Sequence, residues 1–332
     1  MTATLLQNVW YVIICAELAL YILLDGGNLG VGILSLLPQK EEERSRMLQI
    51  LGPIWNANET WLLVAAGSLF GAFPLVYSIG LNALYVPGMV IVVGLIGRAV
   101  AFEFHVYTER KVWWSKIFGV SSVLVALGQG MALGGLLSGI TIAGKQFAGS
   151  VWDFATPLTL LITVGILCSY LVLGYAYLIR VERYANEHES FGHLLRYAVL
   201  TFAALLLATI FLPQTNYLFF SRWSTPPAMY ALWGIALAIV AVSLWVGWEL
   251  WHKRHPERLY FLCLGLFVLG TAGMLVGTYP YMLPPTLTIA DAASAPATQQ
   301  FMLWGIGPLL PIILAYNWYL HRIFRNSFVE EK

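Results

Sequence analysis

Nine long apolar stretches, separated by short charged loops, constrain the fold of this chain more than any other feature. A bilayer core of about 30 Å is crossed by roughly 20 apolar residues in a helix, because backbone N–H and C=O groups find no water there. Hydrophobic residues make up 59% of the 332 and charged residues 11%, which excludes a soluble globular protein. We predict an all-α integral membrane protein with a single transmembrane domain over residues 1–332 and spans at 8–36, 54–76, 80–104, 117–139, 157–179, 196–214, 228–250, 259–279 and 301–323.

The basic residues alternate from loop to loop. Fifteen of the 18 Lys and Arg residues lie after the first, third, fifth, seventh and ninth predicted spans. Only Lys145 and Arg222 lie in the opposite loops, and Arg98 lies inside a span. Because basic loops stay in the cytoplasm, we predict an external N-terminus and a cytoplasmic C-terminus. The charges form no continuous basic face, so we expect no nucleic-acid partner.

Ionisable and amide side chains at membrane depth are concentrated in the first three predicted spans. Such groups are costly in a bilayer, so each requires a partner, a wet cavity or a function. Asp25 and Asn28 are three residues apart and share a helix face, as do Asn56 and Glu59. These two faces could line one wet path. The candidate residues are Glu17, Asp25, Asn28, Asn56, Asn58, Glu59, Arg98 and Glu103.

Three interpretations of these polar residues stay open. In the first, Arg98 neutralises Asp25 or Glu59, and the amides only lock the helices together. In the second, carboxylates, amides and water form a proton-conducting row. The third is a stand-alone proton- or cation-coupled transporter, although a transporter should carry acids in both halves. Glu17 has no obvious partner, and Glu103 is expected to reach the cytoplasmic interface.

Ligands for a redox cofactor or a metal are missing from the predicted spans. A membrane cytochrome holds haem by His or Met side chains from helix interiors. All 6 histidines here fall in loops or at span ends on the predicted cytoplasmic side, at positions 105, 188, 193, 252, 255 and 321. Cys15, Cys168 and Cys263 are far apart, which predicts neither a zinc site nor a disulfide. We therefore expect no metal and no catalytic residue in this chain, and any catalyst in a partner.

Three segments of the first hundred or so residues carry a family resemblance. Residues 24–32, LDGGNLGVG, resemble the L-D-G-F-D-L-G-V-G signature of subunit II of cytochrome bd-type ubiquinol oxidases. Residues 53–62, PIWNANETWL, are similar to that family's P-x-W-D-G-N-E-V-W-L, and residues 98–104, RAVAFEF, to its R-x-V-x-F-E-[FY]. Residues 279–281, YPY, and 310–314, LPIIL, extend the resemblance towards the C-terminus.

This resemblance implies a heterodimeric oxidase of the bacterial inner membrane. Subunit I of such an enzyme carries two haems b and haem d, or a third haem b, oxidises quinol and reduces dioxygen to water. Subunit II binds no haem, has two four-helix bundles plus one peripheral helix, and supports routes for protons and dioxygen. By the same resemblance Asp25, Asn56 and Glu59 lie on or near the proton route and Trp61 near a dioxygen entrance. The resemblance leaves open whether this chain binds a quinone or lipid and whether small single-span subunits are present.

Two departures from the family pattern fall on the proton-route candidates. Asn28 replaces the second acid of the first motif, and Asn56 replaces the usual Asp of the second. An amide orients water but neither releases nor takes up a proton near neutral pH. Either Asp25 and Glu59 therefore carry the titratable function, or the proton path runs through subunit I.

Overall fold

A computed structural model describes residues 2–37, 40–51, 55–182, 187–252 and 255–327. Within these residues the chain is nearly all helical, with two short antiparallel hairpins, β1–β2 and β3–β4. The elements, in chain order, are α1 (Ala3–Leu34), α2 (Glu41–Leu51), α3 (Trp55–Ala72), α4 (Pro74–Ala83), α5 (Tyr85–Tyr107), α6 (Lys111–Ser138), β1 (Ile142–Ala143), β2 (Gln146–Phe147), α7 (Pro157–Glu182), α8 (Glu187–Thr215), α9 (Tyr217–Ser224), α10 (Ala228–His252), α11 (Pro256–Thr278), β3 (Tyr281–Leu283), β4 (Leu287–Thr288), α12 (Ile289–Ala292) and α13 (Pro296–Ser327).

Eight of the described helices are long and apolar enough to cross a membrane: α1, α5, α6, α7, α8, α10, α11 and α13. A ninth span results if α3 and α4 count as one, although they meet at a bend of 118°. The prediction of an all-α membrane protein is confirmed, and the count of nine agrees when this broken pair is one span. Four helices (α4, α7, α11 and α13) begin at proline, whose missing N–H is harmless at the first helical position.

The second and third predicted spans, 54–76 and 80–104, were wrong at the boundary between them. Proline disfavours a helical conformation in the residue before it, and Phe73 before Pro74 leaves the helix with φ −136° and ψ 63°. Helix α3 therefore ends at Ala72, and α4 turns away. A second irregularity at Leu84 separates α4 from α5, so the third span begins at Tyr85.

The spans can be described as two groups of four helices plus one outlying helix, the division that the family resemblance implies, with α6 and α1 also packed against α7. Helices α1, α3, α5 and α6 form the first group, and α7, α8, α10 and α11 form the second. Helix α1 is central, because it also contacts α7 and α11 of the second group. Helix α13 lies against α1 and α3 at the edge of the first group.

The segment between α11 and α13 closes one end of the first group. It forms the β3–β4 hairpin and α12, and its apolar side chains join the core around Trp10 and Phe73. Its backbone also compensates for the break after α3, since Ser294 N donates to the Ala72 carbonyl at 2.9 Å. The Gln299 amide donates to the same oxygen at 3.3 Å. A carbonyl freed by the helix break is thus satisfied within the protein, as a membrane-spanning chain requires.

Helix α1 crosses α7 at glycines. A Cβ placed on Gly30 would lie 1.9 Å from the Tyr170 carbonyl oxygen and 2.7 Å from Gly174 N. A Cβ on Gly174 would lie 2.5 Å from the Gly30 carbonyl carbon. Backbones approach this closely only where small residues face each other, which is a common means of helix association in membranes.

Replacing Gly30 by alanine should therefore separate α1 from α7. We expect Gly30→Ala to lower the stability of the purified protein by about 1–3 kcal/mol or more, the usual cost of overpacking. Gly270→Ala in α11 is the matched control, because nothing lies within 4 Å of its Cβ position. Thermal unfolding in detergent would measure both, and equal unfolding temperatures would contradict the crossing.

Candidate functional site

A buried ion pair joins α1 to α5. Asp25 and Arg98 both have fully buried side chains. Arg98 Nη1 lies 2.8 Å from Asp25 Oδ2, and Nη2 lies 3.1 Å from Oδ1, which is a bidentate arrangement. Two parallel charge-assisted hydrogen bonds fix both the distance and the orientation of the groups. The guanidinium also lies 5.4 Å from the centre of the Phe118 ring of α6.

Glu59 brings a second carboxylate to the same guanidinium from α3. Its Oε1 lies 3.1 Å from Arg98 Nη1, the nitrogen that already contacts Asp25. Two carboxylates beside one guanidinium leave one negative charge in excess, which a single proton would neutralise. The Glu59 side chain is 17% exposed, whereas Asp25 and Arg98 are fully buried. Glu59 therefore has the more exposed side chain of the two acids, and its Oε1, which faces Arg98, is buried. We call Asp25, Glu59 and Arg98 the Arg98 cluster.

Two amides lie beside the Arg98 cluster. Asn28 Nδ2 contacts Asp25 Oδ1 at 3.4 Å, one turn further along α1. Asn58 is fully buried, and its Nδ2 donates to the Leu24 carbonyl at 3.0 Å, which fixes α3 against α1 next to Asp25. Asn56 belongs to α3, but its side chain lies outside the described part of the structure.

An apolar layer separates the Arg98 cluster from α2. Val31 and Leu34 follow Asp25 along α1, Ala101 follows Arg98 along α5, and Phe118 lies beside them. Buried side chains of α2, among them Leu48, complete the layer. The Arg98 cluster is therefore covered by apolar side chains on the side of α2.

The remaining candidates lie apart from the Arg98 cluster. Glu17 is 1% exposed, two turns before Asp25, and accepts a hydrogen bond from Ser68 Oγ at 3.1 Å. Trp61 is 1% exposed in α3. Glu103 is exposed near the end of α5. The structure thus brings together Asp25, Asn28, Glu59 and Arg98, with Asn58 alongside, and leaves Glu17, Trp61 and Glu103 separate.

Sequence interpretation missed several polar partners. Ser68 faces Glu17, and Gln129 of α6 bonds the hydroxyls of Tyr21 and Tyr170. Tyr21 lies midway between Glu17 and Asp25 at a spacing of four residues, so the helical period alone could have placed it on their face. Gln129 and Tyr170 carry no comparable signal, because their positions depend on how α6 and α7 pack.

Comparison with known proteins decides the family of this chain. The family model described as cytochrome bd terminal oxidase subunit II matches residues 6–324. The chain belongs to the cytochrome bd subunit II family. It is 26% identical over 337 residues to cytochrome bd ubiquinol oxidase subunit 2 of Bacillus subtilis, covering 97% of this chain and 96% of that protein. It is 24% identical to cytochrome bd-I ubiquinol oxidase subunit 2 of Escherichia coli K12, over 98% and 96% of the two chains.

The fold is also similar to a solved structure. A chain of the bd oxidase from Geobacillus thermodenitrificans superposes with a TM-score of 0.78 at 20% identity. The match covers 96% of this chain and 98% of that one. This cytochrome bd subunit II is therefore a multi-pass protein with the helical arrangement of a bd oxidase chain.

The histidines that the structure describes do not fit a haem in this subunit II. His105 is buried at the end of α5 and lies 3.3 Å from Ser45 Oγ of α2. His193 stacks on Tyr175, and His252, at the end of α10, bonds the Trp248 carbonyl. These three side chains thus contact other parts of the protein near the ends of their helices, whereas axial haem ligands project from helix interiors. Among the described residues, no group of three or more His, Cys, Asp or Glu could hold a metal ion.

Removal of Arg98 should leave two buried acids without a counter-charge. We expect Arg98→Met to destabilise the protein by about 3–5 kcal/mol, the usual cost of breaking a buried pair on one side. Addition of Asp25→Asn and Glu59→Gln should restore much of that loss, because no uncompensated charge then remains. Detergent unfolding would measure each variant. Arg110→Met, at an exposed position, is the control, and a loss equal to that of Arg98→Met would contradict the prediction.

Proposed function

We propose that this chain is the haem-free subunit II of a bd-type quinol oxidase. Its partner, subunit I, would carry haems b and haem d, or a third haem b, oxidise quinol and reduce dioxygen to water. Family membership over residues 6–324 supports the oxidase assignment. The contacts of His105, His193 and His252 near the ends of their helices support a partner as the carrier of haem. The Arg98 cluster is the single observation that supports an active contribution from this chain.

The contribution we propose is proton delivery. Reduction of one dioxygen to two waters consumes four protons and four electrons, and quinol oxidation supplies the electrons. Asp25 stays paired with Arg98 through two hydrogen bonds, so Glu59, which is partly exposed, takes up and releases the proton. Asn28 contacts Asp25 and orients it but does not titrate. We keep Asn56 as a water-orienting candidate on the same route.

The exposure of Glu59 also suggests where the partner lies. A charged group at membrane depth is costly when it faces lipid, so such residues face a protein or a wet cavity. The open side of Glu59 therefore faces subunit I or a water-filled space beside it. Trp61, on the same helix, is the dioxygen-entrance candidate by family resemblance. The same proposal includes a quinone or lipid bound to this chain and small single-span subunits in the complex.

We place the N-terminus outside the cell and the C-terminus in the cytoplasm of a bacterium. The distribution of basic residues supports this orientation, since fifteen of the 18 fall on one side. The exposed Glu103 then lies at the cytoplasmic end of α5, and the β3–β4 hairpin lies outside. In this orientation the apolar layer lies on the cytoplasmic side of the Arg98 cluster. Protons from the cytoplasm would therefore reach the cluster around that layer, from the exposed side of Glu59.

Co-purification tests the oxidase assignment. The chain would be isolated from native membranes in mild detergent, followed by a reduced-minus-oxidised haem spectrum and quinol-dependent oxygen uptake. We expect a haem-bearing partner and oxygen uptake. A colourless protein without a partner would overturn the assignment and favour the stand-alone transporter. One observation favours that alternative: Glu249 of α10 is 1% exposed and pairs with Arg258 at 3.0 Å, which gives the second half a buried acid.

Neutral variants test the proton role. We expect Glu59→Gln to lower turnover by about tenfold or more with haem content unchanged, since general proton transfer is typically worth 10²–10⁴-fold. Asp25→Asn should also slow turnover, because Arg98 loses its fixed partner. Glu103→Gln is the matched control at an exposed position on α5. Oxygen uptake by the purified complex measures all three, and full activity of both neutral variants would reduce this chain to a structural subunit.

A further inference from the structure

Glu17, near the middle of α1, is a buried acid outside the Arg98 cluster. It is 1% exposed, and its Oε1 accepts a hydrogen bond from Ser68 Oγ of α3 at 3.1 Å. Its Oε2 is buried and has no hydrogen-bond partner among the described residues. No basic side chain in the described part of the chain forms an ion pair with it. A carboxylate here would be an uncompensated charge at membrane depth, which is costly.

The two oxygens of the Glu17 carboxyl group are in different surroundings. In the neutral form, Oε1 is the carbonyl oxygen, because it receives the Ser68 hydrogen, and Oε2 carries the acid proton. The resulting O–H group is a donor without an acceptor among the described residues. Buried polar groups in native proteins are almost always bonded, to protein or to ordered water. The acid proton of Glu17 is therefore placed to bond water rather than protein.

Glu17 and the Arg98 cluster lie along one seam between α1 and α3. Ser68 contacts Glu17, and earlier in α3 the Asn58 amide donates to the Leu24 carbonyl, beside Asp25. Contacts that advance along α1 thus move back along α3, so the two helices are antiparallel neighbours. Glu17 precedes Asp25 by eight residues, or about 12 Å along the helix axis. The two acids of α1 therefore occupy two levels of the same helix pair.

Further buried polar atoms without partners lie on α3 between these two levels. Asn58 Oδ1 and Trp61 Nε1 are both buried and have no hydrogen-bond partner among the described residues. Trp61 is 1% exposed and lies between Asn58 and Ser68 in the sequence of α3. Buried water typically bonds polar groups that the protein leaves unsatisfied. An acceptor at Asn58 and a donor at Trp61 are suitable groups to hold water between the cluster and Glu17.

We propose that Glu17 is a second proton-exchanging acid of this chain, protonated at rest, which exchanges protons with Glu59 through water held along the α1–α3 seam. This inference rests on the proposed proton role of the Arg98 cluster and extends that route by one residue, away from α2. In each transfer the Oε2–H bond of Glu17 breaks and an O–H bond to water forms. Ser68 stabilises the carboxylate until a proton from Glu59 replaces the one lost. No electron moves, and the charge of Glu17 is restored.

Glu17→Gln and Glu17→Asp in the intact oxidase complex test this role by oxygen uptake. Glutamine keeps the size of the side chain but has no acid proton, so we expect turnover to fall about tenfold or more with haem content unchanged. Aspartate keeps the titratable group and should recover part of that turnover. A packing role would favour the isosteric glutamine instead. Ser68→Ala is the matched control, because it removes the hydrogen bond and leaves the acid, and it should keep most of its turnover.

Infrared spectra of the same complexes report the protonation state of Glu17. In wild-type-minus-variant spectra we expect the carbonyl band of a protonated carboxyl group to disappear with Glu17→Gln. Ser68→Ala should move that band to higher frequency, because the carbonyl oxygen loses its hydrogen bond. The absence of such a band, or its failure to move in Ser68→Ala, would overturn the neutral acid.

Turnover separates failure of this role from failure of the proposed function. Slow turnover in Glu59→Gln beside full turnover in Glu17→Gln would overturn the role of Glu17 alone. Full turnover in Glu59→Gln and Asp25→Asn as well would instead overturn the proposed proton function of the chain.

Discussion

The guanidinium of Arg98 is the interaction on which the rest of the first helical group depends. It is fully buried at membrane depth, where an unpaired charge is among the most costly groups a protein can hold. Asp25 from α1 and Glu59 from α3 compensate that charge, so one side chain of α5 connects three helices. The Glu59–Arg98 ion pair joins α3 to α5, and a layer of buried apolar side chains lies beyond the cluster.

The glycines of α1 make this arrangement possible by bringing α7 within backbone contact. Gly30 meets Gly174 where the helices cross, and Gly26 leaves room for the Tyr170 ring. The motif that contains Asp25 therefore has two physical roles: its acid pairs with Arg98, and its glycines allow α7 to pack closely against α1. A larger residue at position 30 would collide with the backbone of α7, and one at position 26 would press against the Tyr170 side chain.

Much of the fold followed from hydropathy and charge, because a helix that crosses a bilayer must be long and apolar. The exception was the region around Phe73, where hydropathy continues through a break in the backbone. The break is tolerated because Gln299, 227 residues from Ala72, bonds the freed carbonyl together with Ser294. The sequence around Ala72 does not indicate that a residue so far along the chain bonds its carbonyl. Proline at position 74 was the only local signal of the break.

The sequence predicted which residues form the candidate site, but it did not predict which of them contact one another. The free-energy cost of an ionisable side chain at membrane depth identified Asp25, Glu59 and Arg98 from the sequence. Their spacing along the chain could not show that the guanidinium of Arg98 contacts both carboxylates. That sharing has a chemical consequence, because two acids and one base cannot all be ionised without a net charge in a medium that penalises it. Asp25 holds two hydrogen bonds to Arg98 and is fully buried, whereas the partly exposed Glu59 side chain approaches the guanidinium through a single oxygen, Oε1. The asymmetry of the two acids thus arises from packing, and it is the reason we propose Glu59 as the acid that exchanges the proton.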